Sequence, residues 1–501
     1  MQKEGTKLKT MINNHHISNE EFEKNQDDLL KYYTDTYLWP LPSKKRGFHE
    51  TREGIELIVR PQCNQKCEYC YITQYGKELY PIQLNKKDTL KNIDLFFDFF
   101  FLQRKNYTRE IELFAGDLFY DDIFFDILDL LEKYFIIIKK EDPDIFELPT
   151  VISIPSNLAF VYDYPEKAEK VLKRAKEFRE KYFTRLLFSW STDGLYCIEG
   201  RENKKLSQEY FDTIFKFCKK IGCGFHPMIS ASNVKYWKEN YQWWLDMYKK
   251  FDLSSGTNDF QPMMLEVRNN DWTEENIKDY EDFLSFLMEK RFEMCEKSVK
   301  NLTYHLFGIE EDYDNDEYAF RVSQTMNYDP LALYFNNDII FNESMGCGLQ
   351  RMIHINCTNL SLVLCHRLTY NLFTGGYFKL NENNEHIIGL KSHNVPAYIT
   401  LKNIKFSHFP ICFSCKYKSF CIKGCYGAQY EASGEVLLPA ENVCKMLKRK
   451  IQKQIKLLNE YGVIGYVIYH NLLKDDKINS ILQILNEELG MEVKEWIPEK
   501  E

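Results

Sequence analysis

CNQKCEYC, residues 63–70, holds three cysteines, Cys63, Cys67 and Cys70, at CxxxCxxC spacing. Three thiolates so spaced suit three irons of a 4Fe–4S cluster, for which thiolates are the usual protein ligands. The fourth iron then has no protein ligand and is free to hold a substrate. An open coordination position is what separates a catalytic metal site from a structural one. A zinc site is the competing reading, and chance clustering is another. CxxxCxxC is a poor zinc pattern, because it lacks the paired CxxC knuckles that enclose that ion.

The segment just before this loop, GIELIV (54–59), is a short apolar run. Five more follow, at IELFAG (111–116), TVISIP (150–155), RLLFSW (185–190), GFHPMIS (224–230) and PMMLEV (262–267). Between them stand long helical patterns such as KKDTLKNIDLFFDFFFLQRK, DDIFFDILDLLEKYF, EKAEKVLKRAKEFREKYF and YFDTIFKFCKKIG. Strands that alternate with helices predict parallel βα units and an α/β fold. The cysteine loop then lies at the C-terminal end of the first strand, where α/β barrels place their chemistry. An open doubly wound sheet is the alternative.

Around this core, 51–270, the chain divides further. Residues 1–50 predict a helical N-terminal extension, with Asn19 capping a helix over EEFEKNQDDLLKYY. Residues 271–340 read as an acidic helical bridge, 341–450 as a cysteine-rich domain and 451–501 as a helical tail. Within the cysteine-rich stretch, RMIHINC and LSLVLC predict a hairpin turning at Thr358-Asn359. Six Lys or Arg between Lys445 and Lys456 either meet an acidic peptide or form a solvated helix face.

The chain of 501 residues is long enough for two or three domains, and 44% hydrophobic with 28% charged residues is ordinary for a soluble protein. No apolar run is long enough for a transmembrane helix, and the N-terminus lacks a signal-peptide core, so a cytoplasmic location and no membrane partner are expected. A net charge of −9 does not suggest nucleic acid. Fifteen cysteines in a reducing compartment predict metal or iron–sulfur ligation rather than disulfides, because three cluster at 63–70 and eight between Cys347 and Cys444. Cys197, Cys218, Cys223 and Cys295 are scattered and read as small buried residues.

With Tyr69 directly before Cys70, the loop resembles the signature of the radical S-adenosylmethionine (SAM) enzymes. That resemblance implies a partial (β/α)6, TIM-like barrel. It also implies SAM chelated to the open iron, and reductive cleavage to a 5′-deoxyadenosyl radical that abstracts a hydrogen atom from the substrate. Tyr69 would lie near the adenine. LFAGDLFY follows the second strand, where the family has a Gly-Gly-Glu-Pro segment that grips the SAM amino group; Gly116 and Asp117 align with it. Asp117 is one carbon shorter than the family residue, and Leu118 replaces the proline. A plain strand-to-helix turn is the other reading. Ser156 and Asn157 either bond the ribose or satisfy a turn. WSTDGLYCIEGR resembles the Ser-x-Asp-Gly segment followed by arginine. Ser191 would face the SAM ribose and methionine, and Arg201 would pair with the SAM carboxylate. Asp193 and Gly194 would shape the turn. Glu266, on the sixth strand, would be a substrate ligand or acid/base group, or a member of a structural ion pair.

The second cysteine group, Cys412-x2-Cys415-x5-Cys421-x3-Cys425, is followed by Cys444 and preceded by Cys347 and Cys365. It resembles the SPASM extension, which binds two auxiliary 4Fe–4S clusters. By resemblance, Cys412, Cys415, Cys421 and Cys444 would hold one cluster, and Cys347, Cys365 and Cys425 the other, with Cys357 as a substitute fourth ligand or an iron left open. A zinc-ribbon-like module is the competing reading for these cysteines. The family has a glycine five residues before the second cysteine; Leu360 stands there, and the turn is expected to shift to Thr358-Asn359.

The resemblance spans residues 54–444 and implies a maturase acting on a ribosomal peptide or a protein side chain, by crosslink or thioether formation or by oxidation. An external electron donor of the flavodoxin or ferredoxin type goes with it. Alternatives are formylglycine formation as in sulfatase maturation, a small-molecule radical dehydrogenase, and a non-catalytic metal-binding adaptor.

Overall fold

The computed structural model describes residues 47–51, 53–114, 116–197, 206–252, 265–307, 349, 352–392, 395–404, 408–421 and 424–497. The N-terminal helix expected from Asn19 lies outside them. The chain forms two compact units: Met1–Lys66, Cys70–Ser189 and Gly348–Ile404 in one, Cys67–Tyr69, Trp190–Cys347 and Lys405–Glu501 in the other.

In the first unit, β1 (Gly54–Ile58) leads into the cysteine loop and then α1 (Tyr71–Leu79) and α2 (Lys86–Phe97). Asn85 caps α2 by accepting the Asp88 N–H at 2.9 Å. Next come β2 (Glu110–Phe114), α3 (Ile123–Glu141), β3 (Thr150–Ser156), α4 (Pro165–Tyr182) and β4 (Thr184–Trp190). The strand–helix alternation read from the sequence is therefore present. β1 pairs parallel with β2, with Ile55 opposite Ile111, and β2 pairs parallel with β3. β2 and β3 alternate buried and half-buried positions, the period-2 signature of a sheet.

The second unit carries α5 (Gln208–Ile221), β5 (Gly224–Phe225), β6 (Met228–Ile229), α6 (Trp237–Phe251), β7 (Leu265–Glu266) and α7 (Glu274–Met294). β6 and β7 pair in parallel. Ser207 caps α5, and Thr273 with Asn276 forms a capping box on α7.

Four strands then return to the first unit: β8 (Met352–Asn356), β9 (Ser361–Val363), β10 (Gly376–Leu380) and β11 (Ile387–Ser392). β8 lies parallel to β1 over its full length, Met352 opposite Gly54 and Asn356 opposite Ile58. The order within this unit is β11-β10-β9-β8-β1-β2-β3-β4. Strand β1 thus has a neighbour on both edges, and all its residues are buried. β8 and β9 form the expected antiparallel hairpin. Its turn covers Cys357–Leu360, and the left-handed residue is Leu360 itself, at φ +52°. The turn is therefore centred on Thr358-Asn359, as expected. Asn356 organises the turn, its side-chain oxygen accepting from the Thr358 N–H at 3.0 Å and hydroxyl at 2.7 Å.

The tail of the second unit holds α8 (Pro410–Phe413), α9 (Tyr426–Ser433) and α10 (Glu441–Glu460). α10 packs on α7. Arg449 forks onto Glu281 with two bonds of 2.7 Å, and Lys445 pairs with Glu274. Part of the basic run read from the sequence is therefore committed to holding this acidic helix.

Candidate functional site

The cysteine loop is fastened from the ends of the neighbouring strands. Gly116, just past β2, has φ +47°, and a Cβ there would collide with the Gln62 carbonyl oxygen. The same carbonyl accepts the Asp117 N–H at 2.8 Å. Only glycine permits this approach, which locks the residue before Cys63. Asp117 is buried, and its two oxygens accept from Phe119 N, Ser156 Oγ and Asn157 N at 2.9–3.0 Å. Burial raises its pKa, opposed by those hydrogen bonds. Asn157 reaches on to Asn64 at 2.7 Å and lies 3.9 Å from the Cys63 sulfur. Three residues read from the sequence as SAM contacts, Asp117, Ser156 and Asn157, are thus one hydrogen-bonded group supporting the cysteine loop.

Cys63, Cys67 and Cys70 are half-buried. Cys63 Sγ accepts the Gln65 N–H at 3.3 Å, and Cys70 is the N-cap of α1. Three half-buried cysteine sulfurs on one short loop are the soft donors that iron–sulfur clusters use, so the donor set fits iron. Among the described residues, no three His, Cys, Asp or Glu side chains are already gathered as a metal site.

In the second unit, the Tyr69 hydroxyl donates to Asp193 at 2.7 Å and its carbonyl accepts from Asn269 at 2.9 Å. Asp193, 1% exposed, also accepts from Met228 N at 2.9 Å and Asn233 Nδ2 at 3.3 Å. Gly194, at φ +103°, brings the chain against Asn240, whose amide donates to the Asp193 carbonyl. The Asp-Gly pair does shape its turn, and it also fixes the aromatic residue before Cys70. Sequence reasoning missed that link, together with Asn269; Asp193 following a strand end was the available signal. Ser191 is half-buried. Arg201 lies outside the described residues, as does the side chain of Glu266, whose backbone pairs in β7.

Of the second array, Cys412, Cys415 and Cys444 line one cleft of about 430 Å³ with Tyr417 and Lys448. Burial raises the Cys444 thiol, Lys448 opposing and Cys415 adding to the rise. Cys421 is half-buried, its N–H bonded to the Tyr417 carbonyl at 3.0 Å, and Cys425 caps α9. Cys365 is half-buried after β9. Cys357 is fully buried; burial pushes its thiol far up, and its sulfur faces the Ile355 carbonyl at 3.8 Å. Cys347 lies outside the described residues. Cys197, Cys218, Cys223 and Cys295 are buried, as read from the sequence.

The three-cysteine loop thus stands at the carboxyl end of β1 in a parallel α/β sheet, clamped by a glycine from the end of β2. The chain is similar to solved structures. Native anSMEcpe with bound AdoMet and Kp18Cys peptide is 12% identical, with 81% of this chain and 98% of that one covered, at a TM-score of 0.48. Streptococcus suis SuiB bound to precursor peptide SuiA is 12% identical, with 86% and 82% covered, at 0.43. No family model and no curated protein sequence matches the chain. No helix among the described residues is long and apolar enough to cross a membrane.

Proposed function

We propose that this chain is a radical SAM enzyme of the SPASM group that modifies a peptide or protein side chain. The observation that carries the reading is the Cys63–Cys70 loop at the carboxyl end of β1, held through Gln62 by Gly116. When bound, the cluster and SAM together supply a 5′-deoxyadenosyl radical. Cys63, Cys67 and Cys70 would ligate that cluster. Gly116 would offer backbone to the SAM amino group, while Asp117, Ser156 and Asn157 keep the loop in place. Tyr69, held by Asp193, would present its ring to the adenine. Ser191 and Arg201 would complete the SAM contacts, and Glu266 would face the substrate.

Cys412, Cys415, Cys421 and Cys444 would hold one auxiliary cluster; their shared cleft supports this for three of them. Cys347, Cys365 and Cys425 would hold the other, and the buried Cys357 is left out of the ligand set. Because free thiols must lose protons to bind metal, the clusters themselves would gather these cysteines and add to stability. An oxidoreductase of this kind needs a flavodoxin- or ferredoxin-type donor and a reducing cytoplasm. Peptide crosslinking is the first chemistry to test.

Anaerobically reconstituted protein is expected to hold about twelve irons per chain, three 4Fe–4S clusters. Reduced with SAM it is expected to release 5′-deoxyadenosine, and Cys67→Ala is expected to abolish that release. Zinc in place of iron, or no deoxyadenosine from the wild-type chain, overturns the reading.

A further inference from the structure

Two cysteines assigned to different clusters, Cys70 and Cys365, are each followed directly by a ring, Tyr71 and His366. Within the first unit these rings stack, with centroids 5.7 Å apart and planes at 30°. His366 also stacks on Phe114, at 3.8 Å and 16°. The contact is held from several sides. Nδ1 of His366 lies 3.2 and 3.1 Å from the two oxygens of Glu56, a contact in which the nitrogen must donate to the carboxylate. Tyr80 Oη donates to the His366 carbonyl at 2.6 Å, and Thr369 Oγ1 donates to the Leu79 carbonyl at 2.6 Å. The Arg367 guanidinium stands over the Tyr71 ring at 5.4 Å.

Glu56 is the unexpected residue. It is 3% exposed in the middle of an otherwise apolar strand. Burying a carboxylate is costly unless it is paired and hydrogen-bonded. An apolar residue would hold β1 together without that cost. Besides His366, the carboxylate meets a more distant histidine, His354, at 3.9 Å; this is its register partner on β8. What the carboxylate adds is orientation: it fixes the ring that adjoins Cys365 against the ring that adjoins Cys70. The path between the two cysteines is then two covalent steps and one ring-to-ring contact.

We propose that Tyr71 and His366 form an electron bridge between the clusters that Cys70 and Cys365 would ligate, with Glu56 as its positioning residue. The proposal rests on the cluster reading above. One electron crossing the bridge leaves a reduced auxiliary [4Fe–4S]⁺ cluster, the reductant, and enters the oxidised [4Fe–4S]²⁺ cluster at the SAM site, the oxidant. No bond forms or breaks and no proton moves.

The test compares the full-length, anaerobically reconstituted chain with Tyr71→Leu, Tyr71→Phe, His366→Leu and Glu56→Gln. Each is assayed for iron, for thermal unfolding, and for electron redistribution after a pulse of photoreduction, followed by freeze-quench EPR. Tyr71→Leu and His366→Leu are expected to slow redistribution by an order of magnitude or more at full iron content. Tyr71→Phe, which keeps the ring, is expected to retain the wild-type rate, and Glu56→Gln to fall between. Wild-type rates in both Leu variants at full iron overturn the bridge alone. Loss of iron from them, with the remaining clusters exchanging normally, also overturns it and leaves these residues a structural role. A wild-type chain without iron overturns the cluster reading together with the bridge.

Discussion

Gly116 and Glu56 show how single residues set the site. At Gly116 a methyl group meets backbone, not a flexible side-chain end, so the strain cannot relax by rotamer change. Overpacking of this kind typically costs about 1–3 kcal/mol. Gly116→Ala is therefore expected to lower the unfolding midpoint and, because the obstructed carbonyl belongs to Gln62, to lower iron retention at the Cys63 loop as well. Calorimetry and iron analysis on the same preparation check this; a destabilised protein with full iron would show that the glycine serves the fold and not the loop. Glu56 makes a prediction in pH. Although burial opposes it, the two neighbouring histidines hold the Glu56 carboxyl below its ordinary 4.5, so its stabilising contribution is present above that value and is lost as pH falls through the folded pKa. Glu56 in turn raises His366 above its ordinary 6.5 against the opposing effect of burial, so that contribution is present below 6.5 and is lost as pH rises through the folded pKa. The pair stabilises most between those limits. Glu56→Gln is expected to cost about 1–3 kcal/mol near pH 5–6, as for a broken buried hydrogen bond, and less at either end. Urea midpoints of both proteins across pH 4–9 test this, and a pH-independent difference would contradict it.

Among the elements, the β8–β9 hairpin shows how a turn accepts an unfavourable residue. Its four residues centre on Thr358-Asn359, as expected from the sequence, and Leu360 closes it. Leu360 is left-handed, and its side chain is 5% exposed and packs in the core. A left-handed non-glycine residue costs roughly 1–2 kcal/mol, and burying a leucine returns about 1.5–3 kcal/mol, so burial wins narrowly. Leu360→Gly is expected to be nearly neutral to mildly destabilising, since it relieves the backbone while losing the packing. Leu360→Ala loses the packing and keeps the strain, and should be the worse of the two by about 1 kcal/mol. Chemical unfolding of the two variants checks the order; alanine more stable than glycine would mean that the turn is not left-handed in solution. The six βα segments were legible because their periodicity is local. The pairing of β8 with β1 was not, since nothing near Met352 in sequence says which edge it will join.

For the whole molecule, the same distinction separates what sequence can supply from what it cannot. The Cys63 loop, Gly116 and the Cys412–Cys444 spacing carry their chemistry in short motifs. The Glu56–His366 contact joins residues 310 positions apart and left only a lone charge in an apolar strand as its trace. The second array allows a test of how independently the proposed metal centres would stand. Cys444 sits on α10, a helix whose packing on α7 is secured by the forked Arg449–Glu281 pair at 2.7 Å. Cys444→Ala should therefore leave the helix in place while removing one ligand from the cleft shared with Cys412 and Cys415. Iron is expected to fall by about four per chain, one cluster. Thermal stability is expected to drop only by the metal's share of folding energy, which a chelator should remove from the wild type too. Since the Cys63 loop belongs to other elements, reductive SAM cleavage should continue, with 5′-deoxyadenosine released while any modified peptide is lost. If the variant keeps all its iron, Cys444 is not a ligand. If deoxyadenosine release stops although the Cys63 iron remains, the auxiliary centre is required for the first step of the reaction and not only for the fate of the substrate radical.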